Sequence, residues 1–399
     1  MSHFCDIDNN AYILFILAEK PLKKENRMEK ETQSMYSEVS PLKDYSRTRS
    51  VWERERLFIA LIGFFFIVAG TTYQMPEIAR WVGFLLAGYA AVANDSIQTI
   101  GTFIASNKQK PWWLLWLFIG GIFMATMGYS WFAHNGDVTY ERLASKGFDT
   151  TPASFSFLQV AAPIFLLILT RMKMPVSTTL LLLTSFSTEA KSVGKVLLKS
   201  FTGYFLALGI AMAVWIILSK QFDKWFKGEA HPFWRVGQWM TTGLLWSVWL
   251  MQDAANIAVY LPRQLSFVEF LGFSLPVFIG LGILFKMGGE RVQEIVEEKS
   301  QVVDVRAATM IDLIYAGILF YFKLHSKIPM STTWVFLGLI GGREIAMSLR
   351  HTSGRTWLTA CKMMAKDTGL ALIGLFVSLL LAIAVNDAMQ EAFLGYFGF

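Results

Sequence analysis

Charge is scarce in this chain. Asp, Glu, Lys and Arg make up 17% of its 399 residues, against 54% hydrophobic. Mean hydropathy is +0.43, well beyond an average soluble domain. Cysteine is nearly absent: Cys5 and Cys361 are far apart and argue against a disulfide framework or a cysteine metal site. No GxxxxGK[ST] run occurs, which argues against ATP hydrolysis and leaves no cofactor signature. No secretory signal is expected either. The first apolar run, Ala11–Ala18, is short and follows Asp6 and Asp8, where a signal would be basic. The five histidines are scattered, and His325 reads as a loop residue.

Long apolar runs fill the remainder. Leu57–Met75, Trp112–Ala133, Leu265–Phe285 and Asp367–Val385 can each cross about 30 Å of hydrocarbon as helices. They are apolar all round, whereas a membrane β-barrel needs alternation. The expectation is an all-α polytopic protein, multi-pass in a plasma (inner) membrane, with the lipid bilayer as its partner. The formal charge of +6 is then no nucleic-acid signal, because basic residues crowd the segments between spans. The tryptophans, among them Trp52, Trp81, Trp112, Trp113, Trp225 and Trp234, read as an interfacial belt.

Eleven crossings are expected, at about 57–75, 81–105, 112–133, 154–171, 175–189, 200–219, 236–260, 265–285, 307–323, 329–343 and 365–385. Residues 1–56 form a polar tail in which Met28 or Met35 competes with Met1 as the start. Residues 57–79 supply an extra helix, 220–235 a linker and 386–399 a C-terminal tail. Basic residues such as Lys108, Lys110, Arg171, Lys173, Lys220, Arg235, Arg306 and Arg350 then fall on the inner side. Lys191, Lys195 and Lys199 fall outside and disagree, unless the segment at 175–189 re-enters. That alternative misplaces 220–235, so the first count is preferred. Gly288–Arg306 reads as a solvated amphipathic connection.

Residues 80–219 and 236–385 each hold five crossings in matching order. An odd number per repeat orients the two copies oppositely. The fold class is therefore two inverted-topology repeats with broken or re-entrant helices at their interface.

Two polar motifs are duplicated inside this apolar frame. Pro175-Val176-Ser177-Thr178-Thr179 matches Pro329-Met330-Ser331-Thr332-Thr333. Each opens a helix with proline and hydroxyls, where free N–H groups and the helix dipole favour an anion. Plain N-capping is the alternative. Asn94-Asp95-Ser96-Ile97-Gln98 matches Gln252-Asp253-Ala254-Ala255-Asn256. Helical spacing places Asn94 with Gln98, and Gln252 with Asn256. A buried carboxylate needs a proton, cation or metal, and carboxylate, amide and hydroxyl oxygens suit a hard cation. A protonated or hydrogen-bonded structural Asp is the alternative. Neither Asp helix nor Ser-Thr-Thr segment carries Lys or Arg at its middle, so an anion bound there needs cations alongside it. Arg343 and Glu189, at the far ends, are second-rank sources of balancing charge.

Ala93–Thr102 resembles the Gly-Ala-Asn-Asp-x-x-Asn-x-x-Gly-Thr signature of inorganic phosphate transporters. Pro175–Thr179 and Pro329–Thr333 resemble that family's Pro-x-Ser-Thr-Thr-His segments, and Gln252–Asn256 its second Asn-Asp motif. The chain departs from the pattern at Gln252, Gln98, Leu180 and Trp334, and lacks the Gly-Pro after the second motif. The large loop often found between the halves is missing too.

The resemblance implies symport of inorganic phosphate driven by Na⁺ or H⁺, and no enzyme activity. It implies that Ser177, Thr178, Thr179, Ser331, Thr332 and Thr333, with Gln98 and Asn256, hold the anion. Asn94, Asp95, Gln252 and Asp253 would hold the cation, with sodium at Asp95 and Asp253. Sulfate, carried by bacterial relatives of similar motif, is the alternative substrate. A non-transporting receptor or scaffold, a passive channel and a homodimer also stay open.

Overall fold

A computed structural model describes residues 51–107, 109–172, 174–225, 228–286, 304–350 and 356–397. The start residues Met1, Met28 and Met35, Cys5, Lys108, Lys173 and nearly all of 288–306 lie outside the described residues. Fifteen helical segments and no strand occur among them. They are α1 Val51–Thr72, α2 Pro76–Thr99, α3 Gly101–Ser106, α4 Trp112–Ala133 and α5 Phe157–Arg171. Then come α6 Thr178–Leu181, a 3₁₀ turn Leu183–Phe186, α7 Ala190–Ile217 and α8 Ser219–Trp225. The remainder are α9 Pro232–Ala258, α10 Phe267–Lys286, α11 Val305–His325, α12 Thr332–Leu349, α13 Trp357–Val385 and α14 Asp387–Phe397. The chain divides into two units, between Gly63 and Phe64 within α1. The second unit holds every helix from α2 onward and all four polar motifs.

Six helices are long and apolar enough to cross a membrane: α1, α4, α7, α10, α11 and α13. The chain is a multi-pass membrane protein on that basis. The expected eleven apolar crossings are corrected in kind. Helices α2 and α9 have 24 and 27 residues, length enough to cross, but they carry the polar motifs. Helix α5 has 15 residues and α12 has 18. The segment 175–189 contains only the four-residue α6 and a 3₁₀ turn. Helix α7 starts at Ala190, ten residues before the expected crossing, and the expected crossing 81–105 is broken between Thr99 and Gly101.

Local chemistry sets several boundaries. Ser156 and Gln159 form a capping box at α5, Asp304 caps α11 and Thr356 caps α13. Pro232 occupies the first turn of α9, where its missing N–H costs nothing.

Packing is dominated by a close pair, α7 with α12. A Cβ at Gly338 or Gly342 would strike the carbonyl oxygens of Tyr204 or Leu208, so two backbones touch where side chains would otherwise hold them apart. Further pairs are α2 with α5, α9 with α11, α4 with α10, α2 with α9, α2 with α10 and α4 with α9. Weaker ones join α6 to α13, α5 to α13, α7 to α11, α6 to α9 and α2 to α12. The tryptophans are only partly a belt. Trp112, Trp113 and Trp225 are exposed near helix ends, but Trp215, Trp246, Trp249 and Trp334 are buried.

Connections gather at two ends. At one, Leu265 N donates to Gly136 O at 2.9 Å, and Arg263 donates to Phe148 O and Thr150 O. Thr188 N reaches Gly147 O, and Asn386 reaches Thr184 O and Ser187 O. Lys327 pairs with Glu141, and Lys146 with Glu189 at 3.0 Å. At the other end, Asn107 bonds Gln238 at 2.9 Å and Arg306 bonds the carbonyls of Trp225 and Gly228. The segment 187–192 thus shares an end with 134–150, which keeps Lys191 on that side, as the preferred topology requires.

Cysteine labelling tests this sorting in a Cys5→Ser, Cys361→Ser background. Lys146→Cys and Lys191→Cys are expected to react from one side of sealed vesicles, and Lys110→Cys and Arg235→Cys from the other. Reaction of Lys191→Cys together with Lys110→Cys contradicts it.

Candidate functional site

Every residue singled out in the duplicated motifs is buried. Helices α2 and α9 bring Asp95 and Asp253 to the two Ser-Thr-Thr segments. Thr178 Oγ1 donates to Asp95 Oδ2 at 2.6 Å, and Asn94 Nδ2 to Asp95 Oδ1 at 2.7 Å. Thr179 Oγ1 reaches Asp253 Oδ1 at 3.2 Å, while Asn256 Nδ2 donates to the same oxygen at 2.6 Å. Thr178 and Thr179 therefore tie both carboxylates to one turn. Thr332 lies beside Asp253; its hydroxyl accepts from Trp249 Nε1 at 3.2 Å, and its carbonyl from Tyr315 at 2.9 Å.

The two Ser-Thr-Thr segments also bond each other reciprocally. Thr179 Oγ1 is 3.1 Å from Met330 O, and Thr333 Oγ1 is 3.4 Å from Val176 O. Val176 and Met330 occupy the same position in their motifs. Asn94 Nδ2 reinforces the join by donating to Val176 O at 3.1 Å.

Ser177 and Ser331 are N-caps, accepting from Leu180 N and Trp334 N. A hydroxyl that accepts still keeps a proton to give. The helix-dipole argument is weaker than the motif suggests for the first copy, because α6 has four residues and few aligned peptides. It holds for α12, with 18. Gln252 turns its amide N–H to Leu319 O on α11 at 3.0 Å, away from the amide–carboxylate pairing that its neighbour makes.

Four oxygens in these motifs lack any hydrogen-bond partner although fully buried: Gln98 Oε1, Gln252 Oε1, Asp253 Oδ2 and Asn256 Oδ1. Each orphaned acceptor costs about 1–3 kcal/mol. Oxygens are all that such a set offers, and a hard cation asks for nothing else.

Three charged groups were not picked out as site residues from the sequence. Asp312, on α11, is buried and accepts from Thr102 Oγ1 at 2.9 Å and from Thr242 Oγ1. A lone Asp inside an apolar run was the signal available. Arg142, from the connection 134–156, is buried and donates to Met251 O at 3.4 Å and to Ser326 O. Burial pushes its guanidinium down to about 10, with the Asp253 carboxylate acting the other way. Lys199, on α7, donates to Ile328 O. Nothing in the local sequence distinguishes either from a solvated loop or surface base. Glu189 and Arg343 find local partners in Lys146 and Glu344.

No family model matches the chain, and neither a curated protein nor a solved structure matches it. The site must be judged on its own chemistry.

Gln98→Leu removes one orphaned oxygen at similar volume. In cation-free buffer the variant is expected to melt about 2–4 °C above wild type. Added Na⁺ should then raise the wild-type melting temperature more than that of the variant. A lower melting temperature for the variant, with the Na⁺ response intact, contradicts this.

Proposed function

We propose that the protein is a secondary transporter, not an enzyme, that couples a cation to the symport of an inorganic oxyanion. Phosphate is the first candidate and sulfate the alternative. The observation that carries the proposal is that four buried oxygens of the duplicated Asn/Gln-Asp motifs, one of them on Asp253 itself, have no hydrogen-bond partner.

Asp95 and Asp253 are the cation-binding carboxylates, with Asn94 and Gln252 beside them. Gln98 and Asn256, expected from the motif to hold the anion, are reassigned to the Na⁺ shell, because the atoms they leave orphaned are oxygens that can only accept. A proton on either carboxylate is the other coupling route. The hydroxyls of Thr178, Thr179, Thr332 and Thr333, with Ser177 and Ser331, donate to the anion. The hydroxyls of Thr178 and Thr179 are turned onto the carboxylates. A cation that takes over those oxygens releases the hydroxyls to the anion, which gives the coupling a physical route.

Charge arithmetic supports the same reading, in a form changed from the sequence argument. Arg142 is within electrostatic reach of Asp253, whereas Asp95 feels only the like charge of Asp253, so the carboxylate pair is not fully offset. An anion placed at the threonine hydroxyls adds further negative charge beside that pair in a poorly hydrated interior, which costs several kcal/mol. A cation entering with it offsets that charge.

Alternating access follows from two inverted repeats, α2 and α4–α7 against α9–α13. The packing supports this. Exchanging α2 with α9, α4 with α10, α5 with α11, α6 with α12 and α7 with α13 turns α2–α5 into α9–α11. The same exchange turns α2–α10 into α4–α9, α6–α13 into α7–α12 and α5–α13 into α7–α11. The reciprocal bonds of Thr179 and Thr333 obey it too. Helix α6 leads towards the end at which Thr188 meets Gly147, while α12 leads away from that end. The likeness to inorganic phosphate transporters in motif and order is part of this proposal.

Purified protein in liposomes, loaded under imposed Na⁺ or H⁺ gradients, decides the matter with labelled phosphate and sulfate. Wild type is expected to accumulate one anion under one gradient, and Asp95→Asn to lose gradient-driven uptake at least about tenfold. Uptake indifferent to both gradients would indicate a channel. Binding without accumulation would indicate a receptor.

A further inference from the structure

Arg142 and Lys199 converge on one strip of backbone. Arg142 Nη1 and Lys199 Nζ both donate to Ser326 O, and Lys199 also reaches Ile328 O. The two positive charges are close enough to repel each other. Arg142 is 2% exposed and its Nη2 has no hydrogen-bond partner, whereas Lys199 is only half-buried. Among the described residues neither forms an ion pair. Glu141, next to Arg142 in the chain, is taken by Lys327, which holds its carboxyl below the usual range. Asp253 is within electrostatic reach of Arg142, yet its own Oδ2 is orphaned and no ion pair closes between them.

Like charges buried side by side are costly unless something negative joins them. Carbonyl oxygens supply only partial charge. The strip they sit on, 326–328, runs directly into Pro329 and Ser331 at the start of α12. Lys199 also lies about 14 Å along α7 from its first residue, so the pair stands between the 134–150 end and the Ser-Thr-Thr turn.

We infer that Arg142 and Lys199 form an anion station for an inorganic oxyanion, set apart from the threonine hydroxyls and on the side of the 134–150 connection. The guanidinium fork offers planar, paired donors that match a tetrahedral oxyanion, and the half-buried lysine adds a point charge. Chloride matches the charge but not the fork. The station serves the symported anion before it reaches the threonines, and for that ligand the inference rests on the symport reading.

Equilibrium binding of labelled phosphate to the full-length protein in detergent tests it, with sulfate run in parallel and Na⁺ present. Lys199→Gln and Arg142→Lys are each expected to weaken binding about tenfold or more. The first removes a charge at a half-exposed position, and the second keeps the charge but loses the fork. Stabilisation of both variants by Na⁺ alone is expected to stay at the wild-type midpoint, which a merely structural role would not spare. Wild-type affinity in both variants overturns the station, as does failure of the wild-type protein to bind either anion. The two ideas fail separately. Vesicles that accumulate no anion sink symport, while weakened binding in the variants upholds the station.

Discussion

Two carboxylates, Asp95 and Asp253, are buried among helices whose outer faces are apolar, and the surrounding chain is arranged around that cost. Each unpaired charge in such a place is worth several kcal/mol against folding. The hydroxyls of Thr178 and Thr179 and the amides of Asn94 and Asn256 divide the carboxylate oxygens between them. They satisfy three of the four and leave Asp253 Oδ2 open. The close approach of α7 and α12, made by Gly338 and Gly342, puts the second Ser-Thr-Thr turn within reach of the first. Membrane helices gain little from burying apolar surface against one another. Polar bonds at the centre and backbone contact at the glycines therefore carry much of the specificity of the fold.

That arrangement also makes the centre responsive. A hydroxyl that donates to a carboxylate is a placeholder that an ion can displace, and the orphaned amide oxygens have nothing to lose on binding one. On the proposed reading, the hydroxyl–carboxylate bonds that stabilise the buried charges are those that a cation rearranges. On the proposed inverted-repeat reading, exchange of equivalent helices maps several helix pairs onto one another, so two states related by rocking one repeat against the other would share those pairs. Near-equal energies are what alternating access requires.

Much of this was legible in the sequence, for identifiable reasons. Duplicated polar clusters inside apolar runs stand out because hydrocarbon tolerates no idle polar group. Their duplication pointed to the Asp-bearing clusters and the Ser-Thr-Thr turns as one functional region, though not to the bond between Thr178 and Asp95. Helix boundaries were less legible. Residues 175–189 are short and Ser/Thr-rich for a span and read as one arm of a broken helix; they form one short helix and a 3₁₀ turn, and α7 absorbs Ala190–Ser200 instead. The contribution of Arg142 could not be read at all. It stands 109 residues from its acceptor at Met251, in a connection whose composition is that of an ordinary loop. Lys199 looked like a topological misfit, and in the structure it turns to the carbonyls of 326–328. The inference that the centre lacks positive charge was sound along the chain and incomplete in space.

On the symport reading the cation and anion sites share one set of oxygens and hydroxyls, and such sharing shows itself as thermodynamic linkage between the two ligands. Titration calorimetry on the detergent-purified protein can measure phosphate affinity at zero and saturating Na⁺, and Na⁺ affinity at zero and saturating phosphate. Reciprocity makes the two enhancement factors equal, and direct sharing predicts factors of roughly 5–150. Phosphate affinity that is unchanged when Na⁺ is replaced by choline, at constant ionic strength and pH, would contradict the claim.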